Sequence, residues 1–307
     1  MKLFITAAAF LAVLGLGAQN SIDLLTISGR YGFPTAYDSP YQNEKANESA
    51  MLVNLKAPIV FNEGKTIWFN NLTYNYSLVT NNLMLGQDVM NPVGIHGFIL
   101  QTGLVQRIDE KRAIQLLYVP RFMTDFQGSS SQSWQHGAIA LFENRWNDNF
   151  MMRFGFMYNQ ELGGALLVPL FDVNWQMSEK WSMAGLFPIY LKINYQASDR
   201  WIVGFSHFGL ITSYALHGEG YAGDYMERTS IDLTLFGRYK LVGNWHLEGR
   251  VGFALGRTYA QYAADDKVDF RLSIIKFGDN RPDPKNILFK DGPIADLRLV
   301  YSIPLTN

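Results

Sequence analysis

The sequence predicts an all-β chain: a transmembrane antiparallel up-and-down β-barrel of about fourteen strands, with twelve as the alternative count, preceded by a cleaved signal peptide. Three observations predict it. Side chains alternate with a two-residue period, short and long connections alternate along the chain, and tryptophans gather at one set of turns. The competing fold is an exported β-sandwich, whose apolar residues would pack between two open layers.

The leader comes first. Lys2 supplies a short positive segment, an apolar stretch runs from Leu3 to Leu16, and Gly17 and Ala18 precede polar Gln19 and Asn20. That order is the pattern of an export signal, and the stretch is shorter than the roughly 20 residues a spanning helix needs. The expected organisation is a signal peptide at 1–18 and one barrel domain at 19–307, with no linker or second domain.

Composition narrows the class. Aromatics make up 14% and charged residues 17% of the chain, against about 25% charged in an average protein. Few charges and many amphipathic rings suit a chain that meets both a core and a lipid. There is no cysteine, which excludes disulfides, thiolate metal sites, a cysteine nucleophile and a lipid anchor on cysteine. The net charge of −1 gives no global field for nucleic acid, so no nucleic-acid partner is expected.

The strands follow from the alternation. Phe150, Met152, Phe154, Phe156 and Tyr158 interleave with Met151, Arg153, Gly155, Met157 and Asn159; Leu297, Leu299 and Tyr301 interleave with Arg298, Val300 and Ser302. One face is apolar and the other mixed. Expected strands lie at 22–33, 48–61, 66–79, 94–108, 112–125, 134–145 and 150–159, then at 166–177, 181–187, 190–197, 201–214, 228–241, 245–256 and 293–304. Tight polar turns at 62–65, 109–111, 147–149, 178–180, 198–200 and 242–244 separate long connections at 34–47, 80–92, 127–133, 216–227 and 259–292. The junction near Pro188 is the exception, tight where a long connection is due. Barrels of the bacterial outer membrane have short periplasmic turns and long outer loops, and an even strand number puts both termini in the periplasm. Closure is required because an unpaired strand edge finds no water in lipid. Trp68, Trp146, Trp175, Trp181, Trp201 and Trp245 lie near the short turns and Trp134 beside a long loop. Indoles prefer the membrane–water boundary, so the six are expected to form an interface girdle.

Several stretches resemble a family of uncharacterised Bacteroidota outer-membrane β-barrels, of the domain of unknown function 6268 type. They are VNLKAPIVFNEGKTIWFNNLTY at 53–74, FPIYLKINYQAS at 187–198, and GDNR at 278–281 with FKDG at 289–292. The resemblance spans most of the chain and implies fold and outer-membrane location, not activity. Many such barrels end on an aromatic residue read by the assembly machinery, an expected partner beside outer-membrane lipid. Here Tyr301 is the last aromatic, which weakens that recognition.

No catalytic, cofactor-binding or metal residue is expected, and no cofactor. Ser206 and His207 are adjacent, but strand neighbours point to opposite faces. His96, His136, His217 and His246 have no serine two residues away. His217, Glu219, Asp224 and Glu227, and the aspartates of the 259–292 segment, read as solvated loop charges. The informative polar set is the one alternation turns inward. Candidate lumen-lining residues are Lys56, Arg121, Glu143, Arg145, Arg153 and Asp172 on the first half of the chain. Lys192, Asp232, Arg238, Glu248, Arg250, Asp296 and Arg298 follow on the second half. Such charges either pair off to fill a closed lumen or line a wet channel with a weak anion preference. Met123, Met151, Met157, Leu117 and Leu170 share their face and favour the filled lumen. The expected function is therefore a non-enzymatic narrow channel or small-solute binding barrel. The alternatives are an accessory barrel that binds envelope or secreted proteins through its outer loops and, last, a lipid-modifying enzyme.

Overall fold

The structure is a computed structural model and describes residues 21–304; the proposed leader at 1–18 lies outside the described residues. The strands are β1 (Ser21–Ala36), β2 (Lys45–Lys56), β3 (Ile59–Phe61), β4 (Thr66–Thr80), β5 (Val93–Arg107) and β6 (Arg112–Thr124). Next come β7 (Trp134–Asn147), β8 (Phe150–Asn159), β9 (Leu166–Gln176), β10 (Trp181–Phe187), β11 (Tyr190–Gln196) and β12 (Trp201–Ala215). The last are β13 (Tyr225–Val242), β14 (Trp245–Tyr262), β15 (Phe270–Leu272), β16 (Ile275–Phe277) and β17 (Gly292–Pro304). β2 and β3 both pair with β4 and form one stave. β15 and β16 are a small hairpin inside the last connection. The rest close into a 14-strand antiparallel barrel, sealed where β1 pairs β17 from Ser21↔Pro304 to Gly32↔Ile294. No helix among the described residues is long and apolar enough to cross a membrane; the crossing is made by strands.

The outside explains the alternation. Leu72, Leu116, Phe156, Phe171, Leu235, Val251 and Leu297 stand exposed on staves all around the barrel, although water would favour burying them. A belt this complete belongs against hydrocarbon. Trp68, Trp146, Trp175, Trp181 and Trp201 are exposed near the short turns, Trp245 packs on Tyr301, and Trp134 is exposed at the opposite end. Both described termini lie at the short-turn end, since β1 and β17 pair antiparallel.

The staves are unequal, and this shapes the interior. β10 and β11 are seven residues each, shorter than their neighbours β9 at 11 and β12 at 15. β9 pairs β10 only from Phe171 to Gln176, and β11 reaches β12 only up to Phe208. Above that level β12, still paired with β13 as far as Ala215↔Tyr225, bends in until its end meets β6, where Ala215 pairs Thr124 and Asp125 N–H donates to the Ala215 carbonyl (3.3 Å). The loop end is thus pinched into two apolar fillings. Tyr37, Ile95, Met123, Tyr214, Leu216, Met226, Tyr259 and Phe289 pack in one, and Leu117, Val119, Ile139, Leu141, Leu166, Val168 and Leu170 in the other.

The last connection differs from its sequence reading. β14 runs to Tyr262, and within the remaining segment β15 adds to β9 in parallel, Arg271↔Leu166 and Leu272↔Leu167. The alternation in β14 is interrupted by a bulge at Gly256 (φ 57°), a left-handed conformation that suits glycine. Asp291 holds the bulge by accepting from Gly256 N–H (3.0 Å) and Arg257 N–H (2.9 Å).

Candidate functional site

The barrel interior is the candidate site, and its two walls differ. The inward faces of β6 to β9 carry mainly aliphatic side chains near the loop end, whereas β1, β2, β11 to β14 and β17 carry most of the charge. Buried charges need partners, and almost all have them.

Glu248 on β14 is the hub of the short-turn half. It is fully buried and meets Arg250 (2.5 Å), Arg238 (2.6 Å) and Lys192 (2.9 Å). Arg238 also bridges to Asp23 at 2.8 Å, and Arg298 to Asp296 at 2.6 Å. On the facing staves Arg153 lies 2.8 Å from Asp172 and 3.7 Å from Glu143, whose other neighbour is Arg145 at 3.8 Å. Lys56 stands apart. It feels Asp23 and Asp172 but has no ion pair or hydrogen bond among the described residues. The register puts Tyr190 on the same face as Lys192, and its side chain is 46% exposed. The interior at that level is therefore open to solvent.

A second hub sits nearer the loop end. Glu48 is 1% exposed and meets Arg30 (2.7 Å), Arg257 (3.0 Å), Arg228 (3.6 Å) and the Tyr259 hydroxyl (2.6 Å). Asp232 completes it through Arg30 at 2.8 Å. Arg121 pairs with Glu161 at 2.7 Å in the pinch. Of these groups sequence reasoning named Asp232 and Arg121 and missed Glu48, Arg30, Arg228, Arg257, Glu161 and Asp23. Glu48 and Lys56 share a parity on β2, so alternation could have found Glu48. Arg257 lies beyond the bulge, where parity flips.

The loop charges need correcting. Asp224 and Glu227 are buried, not solvated. Asp224 pairs with Lys285 (2.8 Å), and Glu227 is clamped by Arg271 and Arg281, the latter at 3.0 Å. The last connection folds back over β13 and β14 to supply those cations. Arg281 also hydrogen-bonds Asp279, and that bond holds the Asp279 carboxyl well below the usual carboxylate range. Tyr37, beyond the end of β1, has its hydroxyl pushed up to about 12 by burial, partly offset by the Asn81 amide, which donates to it (2.7 Å).

The structure also makes a serine–histidine contact that spacing did not suggest. Ser133 Oγ lies 2.8 Å from His217 Nε2 across two connections. Ser133 is fully buried, in a turn closed by Ser130, and Asp125 binds the His217 backbone N–H rather than its ring. The contact fastens two loops and offers a substrate no approach. Ser206 and His207 point apart, to Thr234 inside (2.8 Å) and to the Pro188 carbonyl (2.8 Å). Among the described residues no group of three or more His, Asp or Glu is placed to hold a metal.

A closed cylinder with an apolar belt outside and paired charges within defines a β-barrel of the outer-membrane type. The chain belongs to the family described as domain of unknown function (DUF6268), whose model matches residues 18–268. No curated protein matches it. Among solved structures it is similar to an outer membrane channel from Pseudomonas putida F1, at 9% identity over 92% of this chain and 96% of that one (TM-score 0.42). It is similar to the NanC porin at 9% identity over 90% and 98% (TM-score 0.37). The translocator domain of the autotransporter NalP from Neisseria meningitidis matches at 11% identity over 97% and 95% (TM-score 0.37).

Proposed function

We propose that this protein is a non-enzymatic outer-membrane barrel that binds small anionic solutes in a vestibule open at the short-turn end and shut at the loop end. Both termini then face the periplasm, and residues 1–18 are the leader removed on export. The observation that carries the reading is the contrast between the two ends of the lumen. Near the short turns Asp23, Lys192, Arg153 and Arg298 keep side-chain exposures of 29%, 22%, 20% and 24%. Near the loops the crossing of β12 to β6 is packed by Ile95, Met123, Tyr214 and Met226, each fully buried. The sign of the charge supports anions: Lys56, Arg145, Arg153, Lys192, Arg238, Arg250 and Arg298 outnumber Asp23, Glu143, Asp172, Glu248 and Asp296, and Lys56 is unpaired.

Planar-bilayer recording tests the reading. The refolded wild type should show no conductance steps at moderate voltage. Met123→Gly with Met226→Gly, which hollows the packing at that crossing, should produce them, with chloride favoured over potassium. Steady wild-type conductance of porin size would sink the shut vestibule. Cation selectivity in that double variant would sink the preference for anions.

A further inference from the structure

We infer that the barrel wall carries a lateral seam between β9 and β12, and that the solute it admits is a single-chain amphiphile with an anionic head, entering tail-last from the bilayer. The inference rests on the vestibule proposed above and names the class of its ligand.

The seam is a consequence of two short staves. Above the β10–β11 hairpin, residues 166–170 of β9 have no β10 partner and residues 209–215 of β12 have no β11 partner. A torn edge facing lipid would leave backbone groups without hydrogen bonds. Here most of both edges is finished. On β9 the carbonyls of Ala165 and Leu167 accept from Arg271 N–H (2.9 Å) and Ser273 N–H (2.8 Å) of the β15 hairpin. The next residue pointing that way is Pro169, which has no N–H to satisfy. On β12 Gly209 N–H donates to the Ile189 carbonyl (2.7 Å). Further up, Ser213 N–H donates to Glu161 Oε2 (2.8 Å) and its carbonyl accepts from Gln135 Nε2 (2.9 Å). Side chains thus replace the strand that is missing, so the discontinuity is built into the wall.

What borders it selects the ligand. Leu186, Ile189 and Ile211 close the seam against Leu166, Val168 and Leu170. The outer margin is equally apolar, with Phe171 (52% exposed), Phe187 (48%) and Ile275 (55%) facing outward. Directly below on the lumen side stand Tyr190, Arg153 and Lys192, with the unpaired Lys56 projecting among Asp23, Asp172 and Arg238. An aliphatic passage that opens onto cations matches a hydrocarbon tail carrying a carboxylate, sulfate or phosphate head.

The test uses the full barrel in phosphatidylcholine nanodiscs, with 11-(dansylamino)undecanoate as the fluorescent probe and empty discs as the blank. Decanoate should displace the probe, whereas decyltrimethylammonium and acetate at the same concentration should not. Ile189→Asp, in a turn at the seam, should slow probe association at least tenfold, and Lys56→Met should weaken binding at least fivefold with association unchanged. Because the chain has no native cysteine, a disulfide joining Leu167→Cys to Leu272→Cys can pin the β15 hairpin in already folded protein. It should slow association as well and recover on reduction. Acetate displacing as strongly as decanoate would overturn the tail-reading seam while leaving the anion vestibule in place. Unaltered association in both Ile189→Asp and the pinned barrel would overturn lateral entry. Binding of neither acetate nor decanoate would overturn vestibule and seam together.

Discussion

Replacing Glu248 with alanine isolates the energetics of the interior. The carboxylate is 0% exposed and receives five contacts from three cations: Lys192 Nζ at 2.9 and 3.1 Å, Arg238 Nε at 2.6 Å, and Arg250 at 2.5 and 2.7 Å. Glu248→Ala removes one negative charge and leaves three positive ones facing each other, with only Asp23 and Asp296 near enough to respond. Breaking a buried ion pair from one side costs about 3–5 kcal/mol, because the surviving charge is left desolvated and uncompensated. Arg238 keeps Asp23, which pulls the expectation to the lower half of that range. At about 1.4 kcal/mol per decade the folded-to-unfolded ratio falls roughly a hundredfold or more. The assay is a reversible urea titration of the barrel in lipid vesicles, followed by tryptophan fluorescence. Removing a partner as well, as Glu248→Ala with Lys192→Met, should recover about 1–3 kcal/mol of the loss. A single-variant loss below about 1 kcal/mol would show that water reaches this carboxylate freely, and the account of Glu248 as a buried, fully paired hub would fail.

Other outcomes follow from the same structure. Pro169→Ala adds an N–H aimed at the seam and should destabilise by about 1–3 kcal/mol; an unchanged urea midpoint would show that the edge has another partner. Tyr37 is raised in the folded state, so its contribution is fully present below about pH 10 and is lost as pH rises through about 12. Absorbance titration at 295 nm should find a late phenolate that Tyr37→Phe removes, with protease sensitivity of the loop-end mouth rising alongside it. Asp279 is depressed instead, so its hold on Arg281 is present above the ordinary carboxylate range and is lost as pH falls through its lowered pKa. Limited proteolysis of the last connection should be equal at pH 7 and pH 5 and faster only in strong acid; full sensitivity already at pH 5 would contradict the contact. Lipids brominated near the headgroup should quench tryptophan fluorescence more than lipids brominated at mid-chain, and the reverse order would displace the girdle.

Much of the fold was legible because a barrel strand repeats one local rule. Phe156 and Arg153, or Leu297 and Arg298, reveal their faces by parity alone, and tight turns such as 198–200 mark the strand ends. The interior was less legible, for two physical reasons. Parity holds only while register holds, and the Gly256 bulge turns Arg257 inward where a straight count puts it outside. Parity also says which face a charge occupies but not who meets it. Glu227 and Arg271 are 44 residues apart and meet because the last connection folds back over the mouth. Such a contact leaves no periodic trace, and charges so spaced read as solvated. The crossing of β12 to β6 was hidden in the same way; its clue was the tight junction at Pro188, which shortens two staves and frees their neighbours to bend.

The last connection, 263–291, is therefore masonry rather than tether, and this matters for surface display. A long final loop invites insertion of an epitope, yet a tag placed between Arg271 and Arg281 would prise two guanidiniums from Glu227 and lift β15 off β9. Met84, 99% exposed at the crest of the connection between β4 and β5, anchors nothing. An epitope there should leave the heat-modified gel shift intact, whereas one at Ile274 should abolish it.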